Sequence, residues 1–316
     1  MTREIFSMPQ TWLITGGAGF IGSHLVKELL RLGQRVRVLD NFSSGRRENL
    51  AGVEEQIQLI TGDIQDTAAV RQAITGADYV LHHAALVSVA ESMEKPLETM
   101  QINVQGTALI LEESRRAGVK RVVFASSSAV YGNGEDLPYR ETSPVDCQSP
   151  YALSKQMGAE LCQMYFRLYG LETVALRYFN VFGDGQNPNS AYAAVIAKFM
   201  QLARQGAPLG IDWDGQQSRD FVHVSDVVQA NLIAALKAQP GEIYNVASGK
   251  TYSLLQLADT IEKIAGRPLE RVFRPKRAGD VKLSSADISK LASQGYTPAV
   301  SLEVGLKQMW EHQEKQ

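Results

Sequence analysis

A tyrosine and a lysine four residues apart are the side chains whose spacing first suggests chemistry. Tyr151 and Lys155 follow Ser149 and Pro150. Proline is favoured at a helix start, so the pair is predicted to lie on one face of a helix. A phenol has a pKa of about 10, and a nearby ammonium group favours its ionised form. The pair predicts a tyrosine that acts as a general base, and the alternative is a surface tyrosine–lysine pair.

Three serines could assist this proton transfer. Ser126, Ser127 and Ser128 directly follow the apolar run 122–125. If that run is a strand, its hydroxyl groups lie at the carboxyl edge of a sheet, where a serine can relay a proton to or from the tyrosine. The alternative is a serine-rich turn without a catalytic role.

A glycine-rich turn between a predicted strand and a predicted helix indicates a dinucleotide site. Its glycines are Gly16, Gly19 and Gly22, and Gly17 also allows the G-x-G-x-x-G spacing. Glycine permits the tight turn and lets the backbone approach a pyrophosphate. The N–H groups of the following helix start, around Phe20 and Ile21, would face the phosphates. The alternative is a tight turn without a ligand.

The side chains after the next two strands indicate which dinucleotide binds. Asp40 ends the second predicted strand, where its carboxylate would hold the ribose hydroxyls, and Asn41 follows it. A carboxylate would repel a 2′-phosphate, so we expect NAD rather than NADP, although two arginines lie nearby in the loop 46–47. Asp63 and Ile64 follow the third strand and could reach the adenine; Asp63 could equally cap the helix that begins near residue 67.

Strands and helices alternate along the chain in a way that would position these side chains. Apolar runs at 12–15, 36–39, 57–60, 79–81, 122–125 and 173–176 alternate with helical patterns at 21–32, 68–74, 99–117 and 151–169. This order predicts an α/β fold with a doubly wound parallel (Rossmann) sheet. We expect an NAD-binding domain over residues 1–180. Residues 181–316 should form a smaller, mainly helical substrate lobe, with a segment near 242–246 returning to the main sheet.

Composition excludes several classes of protein. The chain has 316 residues, a net charge of −2 and two cysteines, Cys147 and Cys162. These values argue against a disulfide framework, a cysteine-rich metal site and binding to nucleic acid. Neither a signal peptide nor an apolar run of about 20 residues is apparent. We expect a cytoplasmic protein with no metal site, no nucleic-acid partner and no membrane partner.

The motifs resemble those of extended short-chain dehydrogenases/reductases, in the nucleotide-sugar epimerase and dehydratase group. The matching stretches are residues 15–22, 82–85, 103–107, 126–132, 151–155, 177–180, 218–221 and 277–280. They span almost the whole chain in the same order. The resemblance implies that Tyr151 is the catalytic base and that Lys155 binds the nicotinamide ribose and lowers the pKa of Tyr151.

Further roles are implied by the same resemblance. Counting four residues back from Tyr131 selects Ser127 as the catalytic serine, whereas a gapped alignment would select Ser128. Cofactor contacts are implied at Ala84, Ala85, Asn103 and Phe179. Nucleotide-sugar contacts are implied at Asn180, Arg219, Arg277 and Asp280, in addition to the catalytic serine region and Tyr151.

The residues after the catalytic serine favour one reaction. Related 4,6-dehydratases place Asp-Glu there, and decarboxylating relatives use a Glu, whereas this chain has Ser128 and Ala129. Hydride removal and return at C4 is the reaction that remains, which is epimerisation without net oxidation.

Three features favour an N-acetylated sugar. Residues 187–196, which include Ala194 and Val195, are similar to a segment of bacterial UDP-N-acetylglucosamine 4-epimerases, and Ser88 matches a serine of that group. Ser284 falls where galactose-type epimerases can carry a bulky tyrosine. We therefore expect NAD-dependent interconversion of UDP-N-acetylglucosamine and UDP-N-acetylgalactosamine, as a precursor supply for polysaccharide or glycoconjugate synthesis.

Three other functions stay open from the sequence. They are epimerisation of UDP-glucose or UDP-glucuronate, a non-catalytic NAD-binding regulator, and a net sugar dehydrogenase or reductase. The resemblance also implies a homodimer built from the helices at about 99–117 and 151–169.

Overall fold

Short apolar segments of the chain form the strands of a central sheet, and amphipathic segments between them form helices. The computed structural model describes residues 8–186, 195–276 and 282–313. The strands are β1 (Thr11–Thr15), β2 (Arg35–Asp40), β3 (Ile57–Thr61), β4 (Tyr79–His82), β5 (Arg121–Ser127), β6 (Glu172–Tyr178), β7 (Asn180–Phe182), β8 (Leu209–Asp212), β9 (Ser218–His223), β10 (Ile243–Val246), β11 (Thr251–Ser253), β12 (Arg271–Arg274) and β13 (Leu283–Ser284). The helices are α1 (Phe20–Arg31), α2 (Thr67–Ile74), α3 (Val89–Glu94), α4 (Pro96–Met100), α5 (Gly106–Arg116), α6 (Pro150–Tyr169), α7 (Val195–Gln205), α8 (Val224–Leu236), α9 (Leu254–Ala265), α10 (Ser289–Ala292) and α11 (Leu302–Gln313).

Within these ranges, seven strands form one parallel sheet in the order β10–β6–β5–β4–β1–β2–β3. The chain builds β1, β2 and β3 outward in one direction and then returns to place β4 on the other side of β1. This reversal of strand order opens a crevice at the carboxyl ends of β1 and β4, where open α/β sheets bind ligands. The predicted doubly wound Rossmann fold is confirmed.

Helices cover both faces of the sheet. On one face α1 and α8 pack through buried residues such as Leu25, Val26 and Ile233. On the other face, α2, α5 and α6 pack through residues such as Val70 and Ile110. With both faces buried, the strands need no alternation of polar and apolar residues, which explains why they read as continuous apolar runs in the sequence.

One predicted helix is divided in the structure. The helical pattern at 99–117 corresponds to α4, then a π-helical turn over Gln101–Gln105, and then α5. Pro96 starts α4 earlier than expected because proline fits the first helical position. The π-helical turn places Asn103 in the buried interior, and π turns are frequent at functional sites.

The second half of the chain contains more strand than the sequence predicted. Strands β7, β9, β11 and β13 form one small sheet, and β8 pairs with β12 in another. They surround a separate apolar core that includes Phe199, Leu257 and Leu306. The expected return of residues near 242–246 to the main sheet is observed, because β10 pairs with β6. The division into domains at residue 180 stays a prediction.

Candidate active site

The glycine turn after β1 brings three backbone segments into close contact. Gly16 has φ +68°, a conformation that favours glycine, and a Cβ there would lie 2.8 Å from the backbone nitrogen of Ala84. A Cβ on Gly22 would overlap the carbonyl oxygen of Gly16. Gly19 caps α1 without a side-chain hydrogen bond. The first N–H groups of α1, at Phe20 and Ile21, are therefore left without a side-chain cap, as a phosphate site requires.

Asp40 lies beside this turn with its carboxylate fixed by the backbone. The carboxylate is buried and accepts hydrogen bonds from the N–H of Ala18 (2.9 Å) and of Phe42 (2.8 Å). A carboxylate offers about four acceptor positions, so it retains capacity for ribose hydroxyls. Arg47 stacks over the ring of Phe42 at 4.5 Å, so this arginine is held against an aromatic ring.

Asp63 and Ile64 lie in the loop that follows β3, and Asp63 contacts the loop that follows β2. Asp63 accepts hydrogen bonds from the Asn41 amide (2.7 Å) and from the N–H of Gln65 (2.8 Å). The cap of α2 is Asp66, so the alternative in which Asp63 caps this helix is wrong. Ile64 is buried and packs where a side chain on Gly106 would otherwise lie.

The tyrosine and lysine lie on α6 as the spacing predicted. Ser149 caps this helix, and Pro150 is its first residue. Lys155 is 4% exposed, donates a 2.8 Å hydrogen bond to the carbonyl of Ala125, and has its Nζ 5.9 Å from the centre of the Tyr151 ring. Burial lowers the pKa of Lys155 to about 8. The lysine therefore still carries a positive charge for most of the time at pH 7.

Burial dominates the ionisation of Tyr151. It raises the pKa of the phenol, and a hydrogen bond with the Ser127 side chain opposes the rise. In the protein alone, the expected fall in the pKa of Tyr151 beside Lys155 is therefore not observed. Lowering the pKa requires a further positive charge at the phenol, which an oxidised nicotinamide carries.

Ser127 rather than Ser128 faces the tyrosine. The hydroxyl of Ser127 is hydrogen-bonded with Tyr151 and also accepts the N–H of Ala129 at 3.2 Å. Ser128 begins the short 3-10 turn that follows β5. The geometry thus favours the register counted from Tyr131, and Ser127 stays the proposed catalytic serine.

Asn103 and Phe179 are buried, with their side chains engaged by the protein itself. The Asn103 amide accepts the N–H of Leu86 (2.8 Å) and donates to the Leu86 carbonyl (3.0 Å) and the Ser154 hydroxyl (2.9 Å). Phe179 packs against Tyr131, with ring centres 6.2 Å apart. Both side chains are therefore held in place by contacts within the protein. Direct contact of either with the cofactor stays a prediction.

The predicted sugar residues fall in three places. Asn180 and Val195 line one cleft of about 210 Å³, and Asn180 donates to the carbonyl of Asp220 at 3.0 Å. Ser284 on β13 lies directly opposite Arg219 on β9. Ser88 caps α3 by accepting the N–H of Glu91, a structural contact that the sequence did not predict. Outside the described residues lie Ala194, Arg277 and Asp280.

The motifs and the crevice agree with comparisons to known proteins. The sequence profile of the "NAD dependent epimerase/dehydratase family" matches residues 12–247. The chain belongs to this family. A UDP-N-acetylglucosamine 4-epimerase from Methanobrevibacter ruminantium, solved with UDP-N-acetylmuramic acid, is 36% identical with a TM-score of 0.93, over 97% of this chain and 99% of that one.

Other relatives in the family carry a different substrate name. A putative UDP-glucose 4-epimerase of Methanocaldococcus jannaschii is 39% identical over 94% of this chain and 96% of its own. A Thermus thermophilus UDP-glucose 4-epimerase, solved as a complex with NAD, is 35% identical with a TM-score of 0.87, over 96% of this chain and 98% of that one.

NAD is the cofactor of this epimerase/dehydratase family member, and its residues fit that cofactor. A side chain at Gly16 or Gly22 would collide with the backbone of Ala84 or of Gly16, so these glycines keep the turn tight against the start of α1, where a pyrophosphate binds in this fold. The fixed carboxylate of Asp40 suits free ribose hydroxyls and disfavours a 2′-phosphate. Lys155, held at the carboxyl end of β5, lies near the place where the nicotinamide ribose is expected.

Sequence reasoning did not identify Ser154 as a site residue. Its buried hydroxyl accepts a hydrogen bond from Asn103 and donates one to the carbonyl of Tyr151 at 2.8 Å. A small polar residue directly before Lys155, on the inward face of the helix, was the available signal.

Within the described ranges, no helix is long and apolar enough to cross a membrane.

Proposed function

We propose that this chain is a UDP-N-acetylglucosamine 4-epimerase. The observation that carries the reaction is the half-buried Tyr151 phenol, with a hydrogen bond to the Ser127 side chain and with the buried Lys155 one helical turn away. A further support is the identity of the next residues, Ser128 and Ala129, since alanine has no proton to exchange and water elimination needs an acid and a base.

Tyr151, Ser127 and Lys155 have different roles in the proton transfer. Bound NAD supplies a reversible hydride acceptor. Tyr151 accepts the proton of the C4 hydroxyl, directly or through Ser127, and returns it after the 4-keto sugar has rotated. Lys155 holds the nicotinamide ribose and, as a cation, favours the phenolate form of Tyr151.

The diphosphate and nucleoside anchor the substrate while its sugar rotates. We assign this anchoring to Asn180, Arg219 and Arg277, because a planar guanidinium group suits phosphate oxygens. Both hexose configurations must then fit a single pocket, one in each direction of the reaction.

The choice of an N-acetylated sugar rests on the small side chain of Ser284. It lies opposite Arg219 in the pairing of β13 with β9, so it is near the proposed diphosphate anchor. A serine there leaves volume for an acetamido group that a tyrosine would occupy. The name of the Methanobrevibacter relative supports the same substrate class.

UDP-glucose epimerisation is the second candidate, favoured by the names of the Methanocaldococcus and Thermus relatives. Incubation of the purified protein with UDP-glucose, UDP-glucuronate and UDP-N-acetylglucosamine, with the C4 configuration read by NMR, separates the candidates. The proposal expects the highest kcat/KM for the N-acetylated pair. A preference for UDP-glucose or UDP-glucuronate would reassign the substrate. Accumulation of reduced cofactor with product would instead indicate net oxidation.

We also retain the proposal of a cytoplasmic homodimer. The outer faces of α4 and α6 expose Leu97 (79%), Leu153 (44%) and Met157 (37%), and these two helices pack together. A second copy of the chain would cover this apolar surface. Light scattering after size-exclusion chromatography tests it, and a monomeric mass at micromolar concentration would contradict it.

A further inference from the structure

A buried chain of polar side chains lies behind the cofactor crevice. It runs from Thr15 at the end of β1, through His82 at the end of β4, to Thr107 on α5. His82 Nδ1 is 2.7 Å from the Thr15 hydroxyl, and His82 Nε2 is 3.0 Å from the Thr107 hydroxyl. The exposed fractions are 0% for Thr15 and 1% for both His82 and Thr107. The proposed proton transfers use none of these three side chains.

The donors around Thr15 fix the direction of each hydrogen bond. The Thr15 oxygen accepts the backbone N–H groups of His83 and Ala84, both at 3.1 Å. A hydroxyl has two acceptor positions and one proton, so its proton goes to His82 Nδ1. His82 must then carry its hydrogen on Nε2 and donate to Thr107. The Thr107 hydroxyl in turn donates to the carbonyl of Asn103 at 2.5 Å.

The charge state of His82 agrees with this order. Burial lowers the pKa of His82 to about 3, so the ring is neutral near pH 7. A protonated ring would place a second hydrogen between Nδ1 and Thr15, where an acceptor is needed. Only the neutral ring with hydrogen on Nε2 satisfies both threonines.

The two ends of this series of hydrogen-bonded side chains lie next to the NAD-binding glycine turn and next to the helix that carries Tyr151. Thr15 directly precedes Gly16 and holds the backbone of Ala84, which the glycine turn contacts. At the other end, the Asn103 side chain bonds Ser154, whose hydroxyl donates to the carbonyl of Tyr151. Two sets of hydrogen bonds, joined through the backbone and side chain of Asn103, therefore connect the glycine turn to the start of α6.

We propose that His82 is a positioning residue that couples the NAD-binding turn to the helix carrying Tyr151, and that it does so as the neutral ring with hydrogen on Nε2. The two nitrogens lie on opposite sides of one rigid ring. Nδ1 accepts a hydrogen bond from Thr15 on β1, and Nε2 donates a hydrogen bond to Thr107 on α5. The proposal rests on NAD binding by this family and does not depend on which sugar is the substrate.

Thr107 offers a test with a matched control. Thr107→Val removes the acceptor for His82 while keeping the side-chain shape, and Thr107→Ser keeps the hydroxyl. Thr99 is also fully buried in a helix, and its hydroxyl donates to the carbonyl four residues earlier at 2.8 Å, as that of Thr107 does. It lies outside the chain of hydrogen bonds, so Thr99→Val controls for loss of a buried hydroxyl.

The first readout is NAD retention, measured as the rate of cofactor release from the purified holoprotein during dialysis. We expect Thr107→Val to release NAD about tenfold faster, the ordinary size of one lost hydrogen bond. Thr107→Ser should stay within about threefold of the wild type, and Thr99→Val should match it. Equal release from the two valine variants, or no recovery with serine, would overturn the coupling.

The second readout is spectroscopic and needs no variant to fold. In protein labelled with ¹⁵N-histidine, NMR at pH 7 distinguishes a ring nitrogen that carries hydrogen from one that does not. The proposal requires His82 to have a bare Nδ1 and a protonated Nε2. A hydrogen on Nδ1 would refute it. Neither readout involves a sugar, so a failed substrate assignment leaves both results interpretable.

Discussion

A substitution at Tyr151 is expected to abolish catalysis without changing the fold. Tyr151→Phe removes one hydroxyl from a half-buried ring, so we expect loss of turnover with retained NAD and an unchanged fold. The measurements are initial rate, bound dinucleotide and circular dichroism. Tyr165→Phe is the matched control, since Tyr165 is a buried tyrosine on the same helix. Normal activity in Tyr151→Phe would refute the proposed base.

The two neighbouring serines give a second prediction at the same scale. Ser127 bonds the Tyr151 phenol, whereas Ser128 begins the following turn. We expect Ser127→Ala to lower kcat by about 10² to 10⁴, the usual range for a proton-transfer partner, and Ser128→Ala to have a smaller effect. A greater loss in Ser128→Ala would mean that the gapped alignment identifies the catalytic serine.

Burial of the charged Lys155 side chain destabilises the folded protein, although the proposed catalysis needs this charge. Burial lowers its pKa from 10.5 to about 8, which corresponds to about 3 kcal/mol against folding with the ammonium group charged. We expect Lys155→Met to abolish turnover and to raise the free energy of unfolding at pH 7 by up to about 3 kcal/mol. Urea unfolding of the cofactor-free protein measures this.

The pH dependence of Lys155→Met provides the check. Between pH 8 and 10.5, the unfolded wild type binds a proton that the folded wild type has released, so wild-type stability gains from rising pH across this window. The advantage of the variant should therefore be full below pH 8 and should vanish toward pH 10.5. Lys250→Met, on an exposed loop, should have no such advantage. A pH-independent difference would contradict the burial cost.

At the scale of elements, the pairing of β13 with β9 is expected to set substrate size. Ser284→Tyr adds a ring opposite Arg219, and overpacking typically costs about 1–3 kcal/mol. We expect kcat/KM to fall about 10- to 10²-fold for UDP-N-acetylglucosamine and UDP-N-acetylgalactosamine. The UDP-glucose and UDP-galactose pair should be spared. Equal losses on both pairs would mean that Ser284 does not face the acetamido group.

The sequence predicted the elements that local pattern specifies and missed those that depend on distant partners. Strands β1 to β6 were predicted to within two residues at each end, because strands buried on both faces are continuous apolar runs. The strands of the second half, such as β13 with two residues, carry little local signal because their pairing partners lie far away in the chain. The helix α7 was also missed.

The prediction of the site residues also succeeded in some places and failed in others. Spacing alone placed Tyr151 and Lys155 on one helical face, and the glycine turn and Asp40 beside β1 and β2. The sequence did not reveal that Asp66 caps α2, that Ser88 caps α3, or that the Asn103 amide makes three hydrogen bonds within the protein. The Asn103 contacts depend on Leu86 and Ser154, which lie far away in the chain. The two caps are local, because Asp66 and Ser88 accept backbone N–H groups two or three residues later, and the sequence analysis overlooked them.

At the scale of the whole molecule, the reaction regenerates its own oxidant, so the cofactor has no need to leave between turnovers. We expect the purified protein to contain NAD without any being added. Denaturing the protein and assaying the supernatant for dinucleotide tests this. NADP alone in the supernatant, or failure of the emptied protein to bind NAD at micromolar concentration, would contradict the prediction.

The central sheet is completed by a strand from late in the chain, and this has a consequence for biosynthesis. Strand β10 pairs with β6, and α8 covers the same side of the sheet as α1. A nascent chain emerging from the ribosome has therefore made every glycine-turn residue long before it can close the sheet that holds them. The apolar surface beneath α8 faces water until residue 236 has emerged, and the edge of β6 has no partner strand until residue 246 has emerged. We therefore expect a chain that ends before β10 to leave this edge of the sheet unpaired, which favours association with other chains.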